Sequence, residues 1–153
     1  VTEQQEYQLV DHNALRTNQA VIIGFVAVGY VADLPIIITI CGALMLLGSL
    51  LGKPAFLPVY RLLGFSGLID RDLQPDHNLP HRFAQLAGSI FLLSASLFFA
   101  FSAGSAGWLL SFFVLTLAVL NLFFGFCLGC TLYYWLARIG VPGFDKHPVE
   151  RAS

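Results

Sequence analysis

Apolar residues gather in four long blocks along this chain, at about 14–32, 35–51, 82–101 and 108–137, and polar residues gather between them. The last block carries no charge at all, and it is longer than the ~20 residues a helix needs to cross a bilayer. Asp11-His12-Asn13 supplies side chains that can cap the first helix, and Arg16 can snorkel to the headgroups. Asp33-Leu34-Pro35 reads as a tight turn with Asp33 as cap and Pro35 at the first helical position. Gly42, Ala43 and Gly48 permit close helix packing in the second block, and Lys53-Pro54 ends it. Trp108 and the run Tyr133-Tyr134-Trp135 fit the aromatic belts of a membrane interface. The pattern predicts an all-α polytopic membrane protein, a single domain over 1–153 with four transmembrane helices in two hairpins.

The largest polar stretch, 53–81, is not uniform. Phe56, Leu57, Tyr60 and Leu63 fall at helical spacing, with Gly64 as a stop. They read as a short helix lying in the interface plane, or as an apolar turn packed on the bundle. Residues 64–80 read as irregular. A weak internal repeat also stands out. Asp11-His12-Asn13 precedes Arg16-x-x-Gln19, and Asp76-His77-Asn78 precedes Arg82-x-x-Gln85. Duplication explains it as a parallel repeat; so does the recurrence of capping residues at helix starts.

Composition supports the membrane reading: 57% of residues are hydrophobic, 11% are charged, and mean hydropathy is +0.75. The basic residues Arg16, Lys53, Arg61, Arg71, Arg82, Arg138, Lys146 and Arg151 all fall in the arms, the central loop or the segment ends beside them. The connections around Asp33 and at 102–107 hold none. The positive-inside rule therefore predicts both termini and the 53–81 loop in the cytoplasm, with tails over 1–13 and 139–153. A polar arm carrying Glu3 and Glu6 precedes the first apolar block, so no cleavable signal peptide is expected. No basic patch supports nucleic-acid binding.

Chemistry concentrates at Cys127 and Cys130, a C-x-x-C pair that a continuous helix places on one face. Measured from Trp108, Cys127 lies roughly 28 Å along such a helix at ~1.5 Å per residue, at the inner edge of a ~30 Å core. Cys41 lies only ~10 Å from the opposite edge by the same rise, too far to join the pair. Three readings are open. The pair is a reactive thiol couple; its place near a helix C-terminus counts against this, unless Gly125 and Gly129 break the helix, Thr131 caps a new turn, and Arg82 or Arg138 stands close. It is packing, with Gly125-x-x-x-Gly129 a close-approach motif. Or it joins His77 and His81 as a Cys2His2 zinc site, against Pro80 and the loop position. All four histidines lie outside the spans, which counts against haem, and no cofactor or metal is expected. Asn121 reads as an interhelical hydrogen-bonding residue rather than a ligand contact.

Two stretches carry a resemblance: Pro80-His81-Arg82-Phe83-Ala84-Gln85-Leu86-Ala87-Gly88 and Asn121-Leu122-Phe123-Phe124-Gly125-Phe126-Cys127-Leu128-Gly129-Cys130-Thr131-Leu132-Tyr133. With Asp11, Asn13 and Arg16 at the start, the chain resembles a bacterial membrane family, domain of unknown function 4395, over nearly its whole length. His81 departs from the family pattern, which often has Pro there, and this weighs against zinc. Family members are often encoded beside thioredoxin-like proteins and sulfurtransferases. The resemblance thus implies thiol or sulfur handling by Cys127 and Cys130 at the bacterial inner membrane. It shifts the balance from packing to the thiol reading. From another class comes the expectation of a non-catalytic accessory subunit in a larger respiratory or photosynthetic membrane complex. A small transporter for a sulfur compound would need a polar path that the spans do not show.

Overall fold

The computed structural model describes residues 8–76 and 78–144. Among them are six helices and one two-stranded antiparallel sheet. In chain order these are β1 (Gln8–Asp11), α1 (His12–Val31), α2 (Pro35–Leu51), α3 (Leu57–Phe65), β2 (Leu73–Asp76), α4 (Asn78–Ala100), α5 (Gly104–Phe124) and α6 (Leu128–Ile139). The helical class stands; the sheet was not expected. It joins the N-terminal arm to the end of the central loop in the register Gln8↔Asp76 to Asp11↔Leu73. Both strands are edges, so Pro75 costs the ladder little.

α1, α4 and α5 are long and apolar enough to cross a membrane, and α2 is apolar but shorter, at 17 residues. Much of their apolar surface points outward: Val31 is 85% exposed and Leu109 72%. These are the features of a membrane protein, whose apolar exterior is solvated by lipid rather than by water. Inside the bundle Ile22, Val26, Ile38, Cys41, Met45, Leu92 and Val114 form the core.

Asp11 caps α1 as expected, its carboxylate accepting from the Asn13 and Ala14 N–H groups at 3.0 and 3.3 Å. Asp33 does not cap α2. It takes the left-handed conformation (φ 50°) in the turn, and Leu34 stands at the cap position. α2 stops at the left-handed Gly52 (φ 69°), ahead of Lys53-Pro54. The short helix of the central loop is present as α3. Phe56 and Tyr60 turn inward, while Leu62 and Phe65 remain exposed. Tyr60 donates to Asp11, and burial together with this bond pushes its hydroxyl up to about 12.

The fourth expected span is not one helix. The 108–137 block divides into α5, which ends at the left-handed Gly125 (φ 66°), and α6, which begins anew at Leu128.

The two halves of the chain repeat one unit of strand, long helix, helix and short helix. The sheet pairs the start of each strand with the end of the other, as a local two-fold axis requires. In the first outer turn the Ala32, Asp33 and Leu34 N–H groups donate to Val28, Tyr30 and Gly29. In the second, Phe101, Ser102 and Ala103 donate to Leu97, Phe99 and Phe98 at the same offsets, and Ser102 is left-handed (φ 60°) like Asp33. Gly52 and Gly125 end α2 and α5 alike. α2 packs on α4 and, in the matching relation, α5 packs on α1, while α5 packs most extensively on α4. Capping chemistry alone does not produce this correspondence; a duplicated fold does.

Candidate functional site

The break at Gly125 decides the environment of the thiols. Past it, Cys127 adopts an extended backbone (φ −97°, ψ 103°) and becomes the N-cap of α6. Its sulfur accepts the Cys130 N–H at 3.2 Å, and its carbonyl accepts the Thr131 N–H at 3.0 Å. The pair thus sits at a helix N-terminus, where unpaired N–H groups and the dipole favour a thiolate. This reverses the objection raised by a continuous helix. Gly125 alone makes the break, and Cys127 rather than Thr131 is the cap.

Gly129 lies inside α6 and serves a different purpose. A Cβ there would stand 2.5 Å from Ala84 Cβ and 2.7 Å from Ala84 Cα, so its absence lets the start of α6 rest on α4. Phe83, Tyr133 and Phe144 hold the same contact further along, with ring centroids 5.0–5.9 Å apart. That contact brings His81 of α4 to the thiols.

Cys127 and Cys130 are free thiols whose sulfurs stand 2.7 Å apart, with the Cys130 thiol donating to Cys127. That hydrogen bond, opposed by partial burial and aided by the Cys130 and Gly129 N–H groups, draws Cys127 down to about 7. Cys130 moves the other way, because it supplies the shared proton, is partly buried, and faces the negative Cys127 and Asp76. One thiol is poised as a nucleophile and the other holds its proton.

Cys130 Sγ lies 3.7 Å from His81 Nδ1, and His81 Nε2 lies 3.1 Å from Asp76 Oδ2. With Nε2–H donating to Asp76, Nδ1 is left bare facing Cys130, whose one proton goes to Cys127 in the resting pair and has Nδ1 as its next acceptor once Cys127 is in a mixed disulfide. His12 Nε2 stands 3.5 Å from the same carboxylate oxygen. Asp76, His81, Cys130 and Cys127 therefore stand in one row of polar contacts, carried by β2, α4 and α6.

The row opens onto a cleft of about 640 Å³. Arg16 and Gln19 of α1, Asp72 and Asp76 at β2, Asn121 of α5 and Tyr134 of α6 line it over an apolar floor of Ile22, Val114 and Ala118.

The two predicted site residues are thus together. Cys41 is buried in the core on α2, away from them. Neither expected arginine activates the pair. Arg82 donates from Nε and Nη2 to the Ser49 carbonyl at 3.2 and 3.1 Å, and Arg138 sits in the last turn of α6. Of the zinc set, His77 lies outside the described residues. Among the described residues no group of three or more His, Cys, Asp or Glu is placed to hold a metal ion. Asn121 makes no interhelical hydrogen bond among the described residues and faces the cleft instead. Sequence reading missed the Asp76–His81 pair. Its signal was a carboxylate and an imidazole five residues apart across a strand-to-helix corner, masked because Asp76 also reads as a helix cap.

Fold and site together define a helical membrane protein with a buttressed C-x-x-C pair at one end of its bundle. The family profile of the domain of unknown function DUF4395 matches residues 10–138, from β1 to the end of α6, and the chain belongs to that family. No curated protein and no solved structure matches it.

Proposed function

We propose that this is a thiol–disulfide exchange protein of the bacterial cytoplasmic membrane, with Cys127 as attacking thiol and Cys130 as resolving thiol. The observation that carries the reading is the place of Cys127 at the N-cap of α6, with Cys130 donating to its sulfur. Cys127 thiolate attacks a partner disulfide, breaking its S–S bond and forming a mixed disulfide while the first partner thiolate leaves and is protonated. Cys130 passes its proton to His81 and attacks the Cys127 sulfur, which releases the second partner thiol. The pair ends as a disulfide and two electrons have moved to the partner; every step reverses. The partner class is a thioredoxin-like or sulfurtransferase protein on the cytoplasmic side.

The topology belongs to the same proposal. α2 is about 26 Å long at ~1.5 Å per residue, within the short end of spanning length, and serves as the fourth span in two hairpins. Arg61, Arg71, Arg82 and Arg138 gather at the end that carries α3, β2 and α6, while the turns at Asp33 and Ser102 hold no basic residue. This supports cytoplasmic termini and a cytoplasmic thiol site.

Cys130→Ser tests the reading by trapping the mixed disulfide in cells. A covalent adduct through Cys127 to a thioredoxin-like protein is the expected result. Co-purification with a membrane complex at fixed stoichiometry and no adduct would favour the second proposal, an accessory subunit. The exposed Phe123, Phe124 and Phe126 beside the site support that alternative as a lateral contact.

A further inference from the structure

The cleft beside Cys127 has a counterpart in the other half of the molecule that hydrogen bonds draw together. There, Arg82 and Gln85 of α4 reach across to the end of α2. Arg82 donates to the Ser49 carbonyl, and Gln85 donates to the Met45 and Lys53 carbonyls at 2.9 and 3.4 Å. The Arg82 Nε and Nη2 groups and the Gln85 amide thus tie α4 to the end of α2 through backbone carbonyls. The repeat places Arg16 and Gln19 of α1 in the same relation to the end of α5. Yet neither makes a hydrogen bond or ion pair among the described residues, and both line the open cleft.

The difference has a local cause. Aligned on the closing glycines Gly52 and Gly125, Gly48 of α2 corresponds to Asn121 of α5. A Cβ at Gly48 would stand 2.4 Å from Gln85 Nε2 and 2.7 Å from Ala55 Cα, so that arrangement requires a glycine. Asn121 carries a side chain at that position, where the close approach seen at Gly48 has no room for one. Its own amide is also unpartnered among the described residues.

Donors on one wall and acceptors on another, separated by a gap, call for a molecule that offers both. Arg16 and Gln19 seek an acceptor such as a carboxylate. Asn121, and Asp72 on the β2 side, can accept from an amide or ammonium. At about 640 Å³ the cleft is of small-molecule size, and Cys127 lines it. We propose that this cleft binds a low-molecular-weight disulfide of amino-acid or short-peptide type, with its carboxylate on Arg16 and its nitrogen donors on Asn121 and Asp72. This rests on the thiol reading above and names the oxidising substrate of the pair. Cys127 attacks one ligand sulfur and the first thiolate leaves to be protonated. Cys130, its proton taken by His81, displaces the second. The ligand is reduced to two thiols, the pair is oxidised to a disulfide, and a dithiol protein of the thioredoxin class returns the two electrons.

The test uses the reduced full chain in phosphatidylcholine nanodiscs. Oxidation of the pair is followed with oxidised glutathione, with uncharged hydroxyethyl disulfide and with cationic cystamine, each rate divided by that of the same disulfide with a free peptide thiol. The expected result is a saturable reaction with oxidised glutathione, faster than with either other probe by about tenfold or more, the scale of one hydrogen bond to a charged group. Arg16→Gln brings the ratio of oxidised glutathione to hydroxyethyl disulfide towards one, Arg16→Lys retains part of it, and Asn121→Gly, which removes that side chain, lowers it. Equal normalised rates for the three probes, or a ratio untouched by Arg16→Gln in a folded protein, would overturn the ligand assignment while leaving thiol exchange in place. Failure of every disulfide to oxidise the pair would overturn both.

Discussion

Asp76 and His81 meet across the corner between β2 and α4, carboxylate Oδ2 to imidazole Nε2 at 3.1 Å, and the other imidazole nitrogen faces Cys130. In this arrangement His81 serves the resolving thiol rather than the attacking one. His81→Ala should therefore slow closure of the Cys127–Cys130 disulfide from a mixed disulfide by about a hundredfold, the lower range for loss of a general base. The first attack by Cys127 should change far less. Rapid-quench alkylation separates the two steps, and equal slowing of both would contradict the assignment. Asp76→Asn should give a smaller effect on the same step.

Gly129 tests the mechanical side of the site. A side chain there meets Ala84 backbone, so Gly129→Val should lift the start of α6 off α4 and destabilise the fold by about 1–3 kcal/mol, the scale of overpacking. It should also separate His81 from Cys130. The unfolding midpoint in detergent reads the first effect and the disulfide closure rate the second. A variant with native stability and native closure would show that the α4–α6 contact does not build the site.

The duplicated fold predicts an asymmetry between two arginines that look alike in the sequence. Arg82→Ala removes two charge-assisted bonds to Ser49 and should cost about 2 kcal/mol. Arg16→Ala removes no hydrogen bond or ion pair among the described residues and should change stability by no more than about 0.5 kcal/mol. Matched unfolding curves measure both, and equal losses would mean that Arg16 has a structural partner after all.

Much of the scaffold was legible because hydropathy is local. The positions of α1, α2 and α4 and the Asp11 cap follow from spacing and turn residues alone, and the short helix on Phe56 and Tyr60 was one of two readings that its spacing allowed. The break after Phe124 was not, since Phe126, Leu128 and Leu132 continue the apolar run with no change in hydropathy to mark that Gly125 turns left-handed. The strand pair was hidden for another reason. Its partners lie far apart in the chain, and neither strand shows the alternation that would announce it. The Cys127–Cys130 pair was visible from its spacing, whereas its electrostatics depended on which end of a helix it occupies. The contrast between Arg16 and Arg82 lay beyond a reading of their shared motif. It hangs on Gly48 and Asn121, one methylene and an amide apart in effect, at the ends of two other helices.

The central claim is that Cys127 begins a helix and takes a hydrogen bond from Cys130, which holds it at about 7. A lowered value means more thiolate at neutral pH, so the most direct measurement is the alkylation rate of each cysteine against pH. It is read by mass spectrometry on the reduced chain in a bilayer. The account predicts that Cys127 labelling rises through a midpoint near 7 and levels off by pH 9, that Cys130 labels slowly throughout, and that Cys130→Ala moves the Cys127 midpoint upward. Equal labelling of the two, with midpoints at the ordinary thiol value of ~8.5, would contradict it.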